Sequence, residues 1–133
     1  MSMDVVGRRP DSPVGEYFGA SCWAWRPIHA LMAELCSDFL DEELLHYMFF
    51  NDGAGPENQE ICTQIADCFA KWTEHNVTGY TLAIRVTREW RIVSEEEIKQ
   101  NPELETWSPW QVQDDHLKEW IVFLRHCGGF AVN

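Results

Sequence analysis

Apolar residues recur at helical spacing over most of this chain, and that pattern sets the expected elements. After Pro27, residues Ile28, Leu31, Met32, Leu35 and Phe39 fall on one helical face, and proline is tolerated in a first turn. Asp41-Glu42-Glu43 opens a second, short helix whose apolar face is Leu44, Leu45, Met48 and Phe49; carboxylates suit a positive N-terminal end. Asn51-Asp52-Gly53-Ala54-Gly55-Pro56 is a break and reads as a turn that caps the next helix. That helix is the most clearly patterned, over about 57–75, with Ile61, Ile65, Cys68, Phe69 and Trp72 inward. A last helix starts at Asp114 or Asp115, turns Leu117, Trp120, Ile121 and Leu124 inward, and stops at Gly128-Gly129.

Two regions are less regular. Residues 1–20 are rich in glycine and proline, and only Met3–Val6 has strand character. Residues 80–93 fit two periods: Tyr80, Leu82, Ile84 and Val86 alternate as in a strand, while Leu82, Val86 and Trp90 share a helical face. The reading favoured here is helix. Ser94 with Glu97 forms a capping box for a short helix to about Gln100. The expected fold is mainly α: one compact helical domain over residues 1–133, with a loop-rich arm (1–20) packed on it. A small two-stranded sheet would join Met3–Val6 to Phe130–Val132.

Charge changes the picture most. Between Arg26 and Lys71 there is no Lys or Arg, yet nine carboxylates: Glu34, Asp38, Asp41, Glu42, Glu43, Asp52, Glu57, Glu60 and Asp67. A second acidic stretch runs from Glu95 to Glu119, opposed only by Lys99 and Lys118. The net charge is −12 over 133 residues. Such a field repels nucleic acid and acidic lipid and attracts basic protein surfaces. The aromatic content, seven Trp and seven Phe, argues for a packed core rather than an acidic disordered chain.

The five cysteines have no C-x-x-C spacing and read as reduced, buried thiols of a cytoplasmic protein. There is no secretory h-region and no apolar run long enough to span a bilayer. Cys62 and Cys68, six apart, face different sides of their helix. No His pair has metal-ligand spacing, and no phosphate-binding glycine loop or nucleophile elbow occurs. No cofactor, metal ligand or catalytic residue is therefore assigned.

Three blocks of residues stand out together: Met3-Asp4-Val5 through Gly15-Glu16-Tyr17-Phe18 to Trp23-Ala24-Trp25-Arg26-Pro27; Asn51-Asp52-Gly53; and Phe123-Leu124-Arg125 with Gly128-Gly129-Phe130. Their combination resembles a family of small uncharacterised proteins of bacteria and their phages. The resemblance implies a shared fold and no assigned activity. Relatives carry a Cys-rich, zinc-knuckle-like insert before the last helix; Ser94–Trp107 has no Cys here.

These features lead to an expected function. The chain reads as a small acidic binding protein without catalysis, docking on the Lys/Arg-rich groove of a nucleic-acid-handling protein and inhibiting it. The resemblance sets this in a phage context, as an anti-CRISPR protein or other host-defence antagonist. Asp38, Asp41, Glu42, Glu43, Glu57 and Glu60 would steer the encounter, and Trp23, Trp25 and Arg26 would anchor it. Arg85, Arg88 and Arg91 form the one basic stripe; it reads as pairing with the acidic helices, and facing solvent it would favour a homodimer. Two other classes fit the same residues: a small hydrolase with a spatially assembled Cys/His/Asp site using Cys22 or Asp52, and a structural oligomerisation module.

Overall fold

The computed structural model describes residues 2–76, 81–86, 92–93, 95–103 and 110–133. The chain runs β1 (Ser2–Gly7), a 3-10 turn (Pro13–Gly15), β2 (Tyr17–Ser21), α1 (Cys22–Cys36), α2 (Glu42–Met48), α3 (Gln59–Asn76), β3 (Thr81–Val86), β4 (Ile92–Val93), α4 (Glu95–Gln100), β5 (Trp110–Gln113), α5 (Asp114–His126) and β6 (Phe130–Val132). Helix predominates, and two small antiparallel sheets accompany it, ordered β2-β1-β6 and β4-β3-β5.

The terminal sheet has three strands, not two. β1 pairs with β6 through Val5↔Val132, and also with β2 through Val5↔Phe18 and Met3↔Ala20. The arm is therefore strand, turn and strand rather than loop. β2 escapes a pattern reading because Tyr17–Ser21 offers only two inward residues, Phe18 and Ala20, between exposed neighbours. Where the range 80–93 is described, at 81–86 and 92–93, the favoured helix is likewise replaced by strands: β3 pairs with β5 from Thr81↔Gln113 to Ile84↔Trp110. β-Branched residues on a two-sided pairing outweighed the helical face. Of the basic stripe, Arg88 and Arg91 and the Arg85 side chain lie outside the described residues, as does the Ser94 cap.

Helix α1 begins five residues before Pro27. The Ser21 hydroxyl accepts from the Ala24 amide at 3.1 Å and caps it. Pro27 sits in the second turn, where the helix gives up one amide donor, and its ring is buried. The helix ends at Cys36, so Phe39 lies beyond it and is exposed, while Leu40 turns inward. In α3 the fully buried stripe is Cys62, Ile65, Ala66 and Phe69; Ile61, Cys68 and Trp72 are half-buried. In α5, Leu117, Trp120, Phe123 and Leu124 are buried, and Ile121 only partly.

The core centres on Trp120. Its indole meets Phe18 at 5.0 Å, Trp25 at 5.4 Å, Phe130 at 5.6 Å, Phe123 at 5.8 Å and Phe69 at 6.2 Å between centroids. One side chain thus ties the sheet, α1, α3 and α5 together, with several of the pairs tilted or edge-to-face, arrangements aromatic rings favour. Cys62 lies beside Cys127, the residue that follows α5, and Cys36 of α1 beside Cys68; burial and these neighbours push the Cys36 and Cys62 thiols up. Cys62 and Cys68 thus face different neighbours, as their spacing predicts. All five thiols are free, with Cys36, Cys62 and Cys127 buried and Cys22 and Cys68 partly so.

The Asn51–Gly55 loop caps a sheet edge rather than a helix. The Gly53 amide donates to the Val132 carbonyl at 2.7 Å and Val132 donates to Ala54 at 2.8 Å. The cap of α3 is instead Asn58, whose Oδ1 accepts from Ile61 at 2.9 Å. Among the described residues no helix is long and apolar enough to cross a membrane.

Candidate functional site

Trp23, Trp25 and Arg26 divide between surface and core. Successive residues turn by about 100° on a helix, so positions two apart point nearly oppositely and positions three apart share a face. Trp25 is fully buried and its indole N–H donates to the Met48 carbonyl at 3.0 Å. It is a core residue and cannot anchor a partner, which corrects the expectation for that position. Trp23 is 56% exposed. The Arg26 guanidinium lies over its ring at 4.4 Å from the centroid and 5.8 Å from that of Phe49, a cation–π arrangement.

The end of α2 extends this patch. Tyr47 and Phe50 are exposed, Phe49 packs edge-on to Phe50 at 5.3 Å, and His46 stacks edge-on against both Tyr47 and Phe50. A cleft of about 140 Å³ between the two helices is lined by Cys22, Arg26, Phe49, Phe50 and Asn51 among others. Sequence reasoning overlooked Tyr47 and Phe50 as surface aromatics and placed Phe49, which is half-buried, on the inner face. The signal was present: three aromatics within four residues exceed what one helical stripe can bury.

The carboxylates predicted to steer a partner, Asp38, Asp41, Glu42, Glu43, Glu57 and Glu60, are all exposed, as are Glu34, Asp52 and Asp67. Of these nine, Asp67 is the one that meets a cation among the described residues, Arg125 at 2.9 Å. Asp41 also has a local task, since its carboxylate accepts from the Leu44 amide at 3.4 Å at the start of α2.

A second cavity, about 470 Å³, opens between α1 and α2 and is lined by His29, Ala33, Ser37, Leu40, Glu42, Leu45 and His46. His29 is 8% exposed and contacts the Leu45 carbonyl through Nε2 at 2.6 Å. Nε2 must therefore carry the proton. Nδ1 has no hydrogen-bond partner. Burial lowers the affinity of this ring for a second proton, the bond to Leu45 partly opposing it. Cys22, named for a hydrolase site, has no hydrogen bond to a histidine or carboxylate among the described residues, and Asp52 lies on the exposed loop. No group of three or more His, Cys, Asp or Glu among the described residues is placed to hold a metal ion.

Two side chains tie segments next to the three sequence blocks together. Arg8 donates through Nε to the carbonyls of Pro56 and Phe130 at 3.2 and 3.0 Å, joining the arm, the central loop and β6. Gln59 donates to the Leu124 carbonyl at 2.8 Å and accepts from the Gly128 amide at 2.7 Å, closing the end of α5. The class so defined is a helix-dominated domain bearing a terminal three-stranded sheet and an aromatic patch beside acidic helices. Comparisons with protein-family models, curated proteins and solved structures return no match.

Proposed function

We propose that the chain is a non-enzymatic binding protein that lays its acidic helices on a basic groove of a nucleic-acid-handling protein and blocks it. The observation that carries this reading is the run of nine exposed carboxylates on α1–α3 and their connections, of which one is ion-paired among the described residues. Carboxylates held on ordered helices lose little entropy on docking and present charge at fixed spacing, as duplex phosphates do. Trp23 and Arg26, with Phe49 and Phe50 beside them, supply a desolvating anchor of the kind enriched at interface hot spots. Resemblance to phage-borne proteins sets the activity in antagonism of host defence, of the anti-CRISPR kind.

The test is association kinetics with a basic partner captured from host lysate at low salt. Glu42→Lys with Glu43→Lys spares the Asp41 cap and is expected to slow association by about tenfold or more while barely changing dissociation. Affinity should fall steeply with added salt. A salt-independent affinity, or an unchanged association rate in the double variant, would remove the electrostatic basis of the proposal.

A further inference from the structure

The two outer edges of the terminal sheet are treated differently by the fold. The edge of β6 is covered by the chain itself: Gly53 donates to Val132, Val132 to Ala54 and Phe130 to Pro56, at 2.7, 2.8 and 2.9 Å. Among the described residues the edge of β2 has no such backbone cover. Asp4 exchanges both backbone bonds with Asn133, at 2.9 and 2.8 Å. The facing pair Asp4↔Gly19 is therefore a non-hydrogen-bonded pair between β1 and β2. It follows that the N–H and C=O of Gly19, and by period two those of Tyr17, point away from the sheet.

Of these four outward groups the Gly19 carbonyl meets the His116 ring at 3.2 Å. The other three have no hydrogen-bond partner among the described residues. β2 also carries none of the charges, prolines or bulges that blunt an exposed edge. Alongside the edge runs an apolar groove of about 650 Å³, floored by Phe18 and walled by Val14 of the 3-10 turn and Lys118, Glu119 and Val122 of α5. Val14 and Val122 are 49% and 43% exposed.

We propose that this edge is a strand-addition site, taking an extended segment of a partner protein that is apolar toward α5 and basic on its other face. A strand placed there pairs with the outward groups of Tyr17 and Gly19 and lays alternate side chains over Val14 and Val122. Charge selects the occupant. Exposed Glu16, Asp115 and Glu119 and the Asp4 carboxylate, which accepts from the Tyr17 hydroxyl at 2.6 Å, outnumber Lys118 of the groove wall. A cationic segment is attracted to that rim, whereas a second copy would bring two like-charged rims and two chains of net charge −12 together. This site is separate from the acidic helices of α1–α3 and does not depend on their role.

The probe is a capped peptide of alternating valine and lysine as long as β2, titrated into the full isotope-labelled chain. Saturable shifts are expected at Tyr17, Gly19 and Val122, with hydrogen exchange of the Tyr17 and Gly19 amides slowed by about tenfold or more. The same peptide methylated on alternate backbone nitrogens keeps its charge but cannot pair, and it should fail to protect those amides. Gly19→Pro deletes an outward donor and no ladder bond; the atoms nearest an added Cβ belong to the exposed Tyr17 side chain, whose hydroxyl at 2.8 Å must shift. Val122→Glu alters the groove without touching the core, so it serves if Gly19→Pro does not fold. Both should abolish protection. Equal binding of the methylated peptide, shifts confined to α1–α3, or amide protection already present through self-association would each overturn the proposal.

Discussion

Trp23 and Trp25 stand two residues apart on α1 with opposite duties. The first lies exposed beneath the Arg26 guanidinium; the second is sealed in the core with its N–H on Met48. Truncating them separates the two. Trp25→Ala opens a large cavity and strands a buried carbonyl, and is expected to cost about 3–5 kcal/mol. Trp23→Ala loses a partly exposed stacking contact, and about 1 kcal/mol or less is expected. Urea denaturation of both variants checks this, and comparable losses would contradict the division. The sequence held a usable signal in helical geometry, which says that both rings cannot share a face; which ring goes inward was set by α2, whose Met48 carbonyl waits on one side only. His29 shows the same limit. Its burial was not read from the sequence, and its bond to Leu45 belongs to a helix whose docking angle the sequence does not state.

At the scale of elements, glycines decide where chain segments meet. Gly53 and Gly129 both adopt φ of 90°, a conformation that L side chains enter at a cost of about 1–2 kcal/mol. Their surroundings differ. A Cβ on Gly53 would meet only the Asn133 side chain at 3.5 Å, whereas one on Gly129 would lie 2.7 Å from the Glu57 backbone carbon. Gly53→Ala should therefore cost about 1–2 kcal/mol, backbone strain alone. Gly129→Ala should cost clearly more, because backbone must move between the end of α5 and the start of α3. Thermal unfolding of the pair reads strain apart from collision, and equal losses would show that the contact yields freely. The Gly128-Gly129 stop was predictable as punctuation; its close approach to residues 56–57 was not, being a contact across more than half the chain. β3 teaches a related point. Its residues satisfied both periods, and only the facing strand β5 resolved them in favour of pleat.

For the whole molecule, the dominant quantity is net charge of −12. It acts on the fold and on the proposed binding with opposite signs. Self-repulsion among exposed carboxylates destabilises the folded chain, so raising ionic strength from about 0.01 M to about 1 M, which shortens the screening length from about 30 Å to about 3 Å, should raise the melting temperature. The same addition should weaken docking on a basic groove. A melting temperature that falls with sodium chloride would mean that attractive pairs such as Arg125–Asp67 outweigh the repulsion.

Local rules acting within the chain determined α2, the run of α3, the start of α5 and the exposure of the nine carboxylates between Arg26 and Lys71, because helical period, capping and the cost of burying charge operate over a few positions. Tertiary structure alone decided that the arm carries a second strand, that residues 81–86 are extended, that Trp25 is core, and that among the described residues one sheet edge is covered while the other stays open. Each of these depends on a hydrogen-bonding or packing partner distant in sequence, and the pattern of one segment carries no information about which distant segment will face it.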